Sequence, residues 1–230
     1  MRKPCRGLAV RNVAALQRKL PFVRRLGMGI LSLLLLMLGR MHTVQATPGD
    51  LDATFGSSRQ VITNFPGSAN AAVLEANGKL VVAGGLDDFV LARFNANGSL
   101  DTTFGHNGSV TTDFGGDDVA TAMALQTNGK IMVAGNSVER SSGNCDIALA
   151  RFNTNGTLDT TFGNGGKLTT DLGGGDFAQA IAIEASGKIV VVVAGIVGDR
   201  TDFALVRYNA NGAPIYCGLF SLGGRKFRRK

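Results

Sequence analysis

The chain has no tryptophan, two tyrosines, two histidines and three cysteines in 230 residues. Each scarcity removes a chemistry. Cys5, Cys145 and Cys217 lie far apart, and no CxxC or His/Cys cluster exists, so tetrahedral zinc has no ligand set. A Ser-His-Asp triad needs an imidazole, and beyond His42 the sequence offers only His106, in a loop context. The glycine-rich stretch Gly163-Asn164-Gly165-Gly166-Lys167 lacks both the spacing and the following helix of a phosphate cradle. Past residue 46 there is no amphipathic helical periodicity and no long apolar run. Cys145 and Cys217 can pair in an oxidising compartment, although one sits inside a repeat and the other in a divergent tail.

Acid is also absent from the first 46 residues, and that absence is informative. Residues 1–25 carry eight basic side chains, Leu26–Leu38 is a thirteen-residue stretch that is almost wholly apolar, and Val44-Gln45-Ala46 places small residues at −3 and −1 of a cut before Thr47. This is the layout of a secretory signal peptide over 1–46, and it predicts an exported protein: periplasmic, cell-surface or extracellular. The apolar run is short for the ~20 residues of a spanning helix. Left uncleaved, the segment would instead act as a membrane anchor.

The charge reading follows. The chain is +7 overall, but 1–46 holds nine of the 24 basic residues and 225–230 holds five more. The body between them keeps 10 basic residues against all 17 acids, a net −7. Binding to a phosphate backbone is excluded on electrostatic grounds, and no nucleic-acid partner is expected.

What is present is a repeat. Ala92–Gly105 reads ARFNANGSLDTTFG, Ala150–Gly163 reads ARFNTNGTLDTTFG, Val206–Gly212 begins the phrase again, and LDATFG stands at Leu51–Gly56. Arg93 to Arg151 is 58 residues and Arg151 to Arg207 is 56. Each unit contains short alternating apolar and polar segments divided by Gly, Asn and Asp, the strand-and-turn pattern. Strands are expected at 69–75, 79–85, 87–95 and 109–114, at 119–126, 130–136, 146–153 and 167–172, and at 177–184, 188–196 and 202–209. An extra leading strand is expected at 60–65. Ala120, Ala122 and Ala124, like Ala178, Ala180 and Ala182, fall on one face if alternation is strict, and small faces let sheets approach.

The predicted fold is all-β: an array of about three four-stranded antiparallel blades, propeller-like, over 47–212. Closed propellers have 4–8 blades, so three imply an open stack, a share of an oligomeric ring, or a shortened array. After Gly212 the phrase breaks. Ile215 stands where Asp101 and Asp159 stood, and 213–230 reads as a divergent basic tail.

The run GGDDVATAMALQTNGKIMVAGN, followed by DIALARFNTNGTLDTTFG, resembles the bacterial delta-60 repeat, over about Gly49–Gly212. The resemblance implies export and a propeller-like fold, and it brings no catalytic residues.

Repeat lengths vary mainly between the second and third strands: Lys79 to Arg93 is 14 residues, Lys130 to Arg151 is 21, and Lys188 to Arg207 is 19. That loop emerges on the same side as the blade-to-blade connections, and variable loops on a fixed scaffold are where binding concentrates. The candidate ligand rim is acidic: Asp87, Asp88, Asp117, Asp118, Asp176, Asp199 and Asp202. Such carboxylates supply the oxygen ligands Ca²⁺ takes. The competing and favoured reading is turn chemistry, because no EF-hand or nonapeptide spacing occurs. The pairs Arg93/Asp101 and Arg151/Asp159 recur in the repeats and read as structural ties. The expected function is a non-catalytic binding scaffold for a protein or glycan, with no catalytic residues and no cofactor. A polysaccharide hydrolase or lyase working from the acidic rim is the alternative, and a surface assembly joined through open blade edges is a second one.

Overall fold

A computed structural model describes residues 49–197 and 200–215. The segment expected to be a signal peptide, Asp199, Cys217 and most of the basic tail lie outside the described residues. Among those described there is no helix long and apolar enough to cross a membrane.

The body is all-β. Twelve strands form three antiparallel sheets. The first holds β1 (Ser68–Leu74), β2 (Leu80–Gly85), β3 (Phe89–Phe94) and β4 (Ser109–Thr112). The second holds β5 (Asp117–Leu125), β6 (Ile131–Val138), β7 (Cys145–Phe152) and β8 (Lys167–Thr170). The third holds β9 (Gly175–Ile183), β10 (Ile189–Val197), β11 (Arg200–Tyr208) and β12 (Pro214–Ile215). Strands follow sequence order, the first hairpin of each sheet turning at Asn-Gly or Ser-Gly, where Gly78, Gly129 and Gly187 take φ of 80–82°. Only glycine adopts that backbone without strain.

Sheets stack in sequence, and the pleat decides which side chains meet. Val81, Ala83, Phe89 and Leu91 of the first sheet bury against Ile131, Val133, Ala148, Ala150 and Phe152 of the second. The opposite face of the second, with Met132, Ala134, Ile147 and Leu149, buries against Ile189, Val191, Ala204, Val206 and Tyr208 of the third. A two-sided sheet of this kind needs apolar residues at every position of its inner strands, and β7 is buried along nearly its whole length.

Two expectations are corrected. The alanine stripe is not one face: the register shifts between Ala120 and Ala122, so Ala120 packs toward the first sheet and Ala122 toward the third. A bulge adds one residue to a strand and thereby exchanges faces. The bulged residue points its polar group at the next sheet: Asn70 Nδ2 donates to the Ala120 carbonyl at 2.9 Å, and Thr121 Oγ1 to the Ala178 carbonyl at 2.6 Å. In the third sheet Ala178 is buried while Ala180 and Ala182 are exposed, since among the described residues no further sheet covers them.

The leading strand expected at 60–65 is not formed. Ser57 and Gln60 make one isolated bridge, and Val61–Phe65 has no ladder partner among the described residues. A strand needs a neighbour to fill its ladder, and this segment has none. Conversely, pairing continues past the point where the phrase breaks, because Pro214 and Ile215 pair with Tyr208 and Arg207.

Candidate functional site

In each meander the second-to-third-strand loop and the connection to the next sheet leave from the same end. The structure joins them directly: Arg140, in the loop between β6 and β7, places Nε 2.7 Å from Asp117 Oδ1, with both side chains more than half exposed. This rim is the candidate site.

Its connections are built by aspartates. The Asp118 Oδ2 accepts the Phe114 N–H and Asp113 Oδ1 accepts the Gly115 N–H. One repeat later Asp176 Oδ2 accepts from Leu172 N at 2.6 Å and Asp171 Oδ1 from Gly173 N at 2.6 Å. Gly115 and Gly173 have φ of 98° and 93°, so the turn needs glycine as well as acid. Turn chemistry accounts for one oxygen of each of these four residues.

The other consequence is a repeated convergence of charge. Carboxylate oxygens of Asp88, Asp113 and Asp118 lie within 4.8 Å of one another, and so do those of Asp146, Asp171 and Asp176. Each triad takes one acid from the start of a third strand, one from the end of a fourth, and one from the first strand of the next sheet. Asp118 is fully enclosed, and among the described residues its Oδ1 has no hydrogen-bond partner. Burial, then the charges of Asp113 and Asp118, raise the pKa of Asp88. Burial, then Asp171 and Glu139, raise that of Asp146. Asp176, 2% exposed, is pushed to about 6, by burial first, with Asp171 and Asp146 adding and the Leu172 N–H opposing. Clustered carboxylates with free oxygens are what a hard divalent cation binds. Cys145, buried beside this second triad, is a free thiol pushed up to about 11 by burial and by Asp146 and Asp176.

Of the rim residues named from the sequence, Asp88 and Asp118 enter the first triad and Asp176 the second. Asp87 and Asp117 stand exposed beside them, and the Asp87 carbonyl accepts the Asp118 N–H at 2.8 Å. Asp199 lies outside the described residues. Asp202 is described only as backbone in β11, paired with Gly195. Asp113, Asp146 and Asp171 complete the triads and were not among the named residues. Their signal is the repeated Thr-Thr-Asp and the Asp that opens each third strand.

The Arg/Asp pairs lie at the opposite rim, buried and in contact. Asp101 Oδ2 is 2.7 Å from both Arg93 Nε and Lys79 Nζ, and Arg93 also donates across the junction to the Thr154 carbonyl at 2.6 Å. The Arg93 guanidinium lies 4.6 Å from the centre of the Phe104 ring. In the next repeat Asp159 Oδ2 is 2.6 Å from Lys130 Nζ and from Arg151 Nε, whose N–H is not aligned on that oxygen. Arg151 reaches the Ala210 carbonyl and stacks over Phe162. The Lys79 hydrogen bond leads in holding Asp101 below the usual carboxylate range, despite burial. Burial opposes the charge of Asp159, but Lys130, Thr161 and Arg151 together outweigh it. A groove of about 580 Å³ runs along this rim between Gln126–Lys130 and Glu184–Gly187, yet the Lys130 and Arg151 that line it are already committed to Asp159.

Three segments, 75–104, 126–162 and 184–214, match the family described as "Domain of unknown function (DUF5122) beta-propeller". No curated protein matches the chain. A solved structure described as a fucose lectin from Kordia zhangzhouensis in complex with methyl-fucoside is similar at TM-score 0.40 and 13% identity, over 66% of this chain and 98% of that one. Each family match begins at the turn before a second strand and runs through the third strand of one sheet, so the described body is a run of three β-propeller repeats.

Proposed function

We propose that the protein is an exported, non-catalytic binding scaffold whose ligand, a protein or a glycan, is held at the rim of the variable loops. One observation carries this reading: the loop between β6 and β7, the longest in the described second-to-third-strand set, is pinned by Arg140–Asp117 onto the connection that also carries an acidic triad. The length of the repeat varies mainly there. The acid with the most raised pKa, Asp176, is sealed from solvent, which argues against proton transfer to a bound polymer from that position.

A glycan array probed with Ca²⁺ and again with a chelator is the first test. Asp87→Ala with Asp117→Ala removes exposed rim carboxylates without touching the turns that Asp118 and Asp176 hold. Loss of binding in that variant supports the rim. Unchanged binding moves the site elsewhere, and release of new reducing ends from a polysaccharide overturns the non-catalytic reading.

A further inference from the structure

The first two sheets have their outer edges closed. Phe89–Ala92 of β3 pairs with Ser109–Thr112, and Ile147–Ala150 of β7 pairs with Lys167–Thr170. In the third sheet β12 is not the counterpart of these strands. Pro214 against Tyr208 takes the place of the single bridges Phe94–Leu100 and Phe152–Leu158. Among the described residues nothing pairs with the outer edge of Phe203–Val206.

The other end of the array has the complementary surplus. Gly56 N donates to the Asn97 carbonyl at 2.8 Å, as Gly105 does to Asn155 at 2.8 Å and Gly163 to Asn211 at 2.9 Å. Ser57 and Gln60 form the bridge that His106 and Ser109, then Asn164 and Lys167, form in the later repeats. In both of those repeats the next residues are the outer strand of the preceding sheet. Here they are Gln60-Val61-Ile62-Thr63-Asn64-Phe65, aligned with Ser-Val-Thr-Thr-Asp-Phe at 109–114, and among the described residues no sheet precedes them.

We propose that residues 60–65 of one copy form the missing outer strand of the third sheet of a second copy, and that two copies close head to tail into a six-sheet ring. The register carries over from the first sheet. Phe89–Thr112, Val90–Thr111, Leu91–Val110 and Ala92–Ser109 become Phe203–Thr63, Ala204–Ile62, Leu205–Val61 and Val206–Gln60. Three further features fit this occupant. Phe203 and Leu205 are 55% and 36% exposed, whereas their counterparts Phe89, Leu91, Ile147 and Leu149 are 0%. Phe114 rests 4.9 Å from Phe89, and Phe65 holds the same place relative to Phe203. Gln179, exposed, occupies the bulge position from which Asn70 and Thr121 reach the next sheet, so the Ala69 carbonyl of the second copy is its acceptor. The ring size follows from the number of blades: closed propellers have 4–8, which three sheets do not reach, six satisfy and nine exceed. A head-to-tail interface that closes fills the unpaired edge of β11 at both junctions, which removes the templating hazard of that open strand.

The test uses protein recovered from cells expressing the full chain. Light scattering is expected to return twice the chain mass. Because Arg93 N donates to the Gly108 carbonyl, the alternation of the ladder makes Leu91–Val110, and hence Leu205–Val61, a hydrogen-bonded pair. Val61→Pro removes that N–H at both junctions, with an expected shift toward monomer of about tenfold or more. Ile62 and Ala204 then form a non-hydrogen-bonded pair with Cα atoms ~4.5 Å apart, inside the range for a disulfide. Ile62→Cys with Ala204→Cys is therefore expected to give a covalent dimer on a non-reducing gel, while either single variant runs as a monomer. A wild-type monomer, the result if residues 216–230 of the same chain cover the edge, overturns the proposal. So does a double variant that runs as a monomer, a dimer indifferent to Val61→Pro, or an open-ended ladder of sizes.

Discussion

Asp176→Asn should stabilise the protein near neutral pH. Asp176 is buried at the junction of the second and third sheets, within 4.8 Å of the carboxylates of Asp146 and Asp171, and its pKa rises from 3.8 to about 6. An acid whose folded pKa lies above its unfolded one holds its proton more tightly when folded. Its contribution to stability is therefore full below pH ~4, declines as pH rises through about 6, and is gone above that. A shift of about two units corresponds to about 3 kcal/mol. Asparagine keeps an oxygen to accept the Leu172 N–H and gains an amide that can donate to either neighbouring carboxylate. At pH 8, with a chelator present so that no divalent cation offsets the repulsion, the variant is expected to melt roughly 5–10 °C above wild type. At pH 4 the two should coincide. Thermal melts followed by circular dichroism across pH 4 to 8 measure the difference curve. A variant that melts below wild type at pH 8, or a difference that does not change with pH, would refute the electrostatic account of the triad.

The ties at the opposite rim behave in the reverse sense. Asp159→Ala leaves Arg151, 6% exposed, without its acid, and is expected to lose about 3–5 kcal/mol by urea unfolding. Glu184→Ala, which removes the 3.6 Å partner of a half-exposed Arg207, should cost at most about 1 kcal/mol, and equal losses would contradict the burial argument. Gly135→Ala would place a Cβ 2.1 Å from the Val119 carbonyl and 2.7 Å from the Phe89 ring, so a lowered Tm is expected with a cost of about 1–3 kcal/mol or more. Gly195→Ala, whose Cβ meets nothing nearer than 3.5 Å, should melt within a few degrees of wild type, and comparable damage at both sites would show that sheet approach is not what requires Gly135.

Much of the fold was legible because the sequence repeats. Alternation located eleven of the strands to within a few residues, and the recurring Arg93/Asp101 and Arg151/Asp159 pairs each meet as an ion pair. What strict alternation does not contain is the bulge. One extra residue at Thr121 turns Ala122 away from Ala120, and no residue type announces it. The expected strand at 60–65 had every local property of a strand and lacked only a partner, which is a property of the assembly and not of the segment. The triads were half legible for a related reason. Asp88, Asp118 and Asp176 stood out beside glycine turns, while Asp113 and Asp171 read as the ends of strands. Only when β4 stops at Thr112 and β8 at Thr170 do these two acids turn toward the junction.

Paired charges and clustered acids occupy opposite ends of the first two sheets. At the hairpin end of the first two sheets a lysine and an arginine share one buried aspartate, and Arg93 and Arg151 reach into the next sheet. At the other end the acids oppose one another, and what binds them together is backbone donated by the turns they cap. Such a junction is destabilising unless a cation or a basic ligand group enters it. A scaffold gains from that arrangement only if the opposite rim can carry the deficit. The third repeat shows where this margin is thinnest, since Ile215 replaces the acid and Arg207 is left with Glu184 at 3.6 Å. Among the described residues the outer edge of Phe203–Val206 is also unpaired, and Phe203 and Leu205 are exposed. The last sheet therefore has the most to gain from a neighbour, and the unpaired residues 60–65 at the start of the array are the segment that matches it.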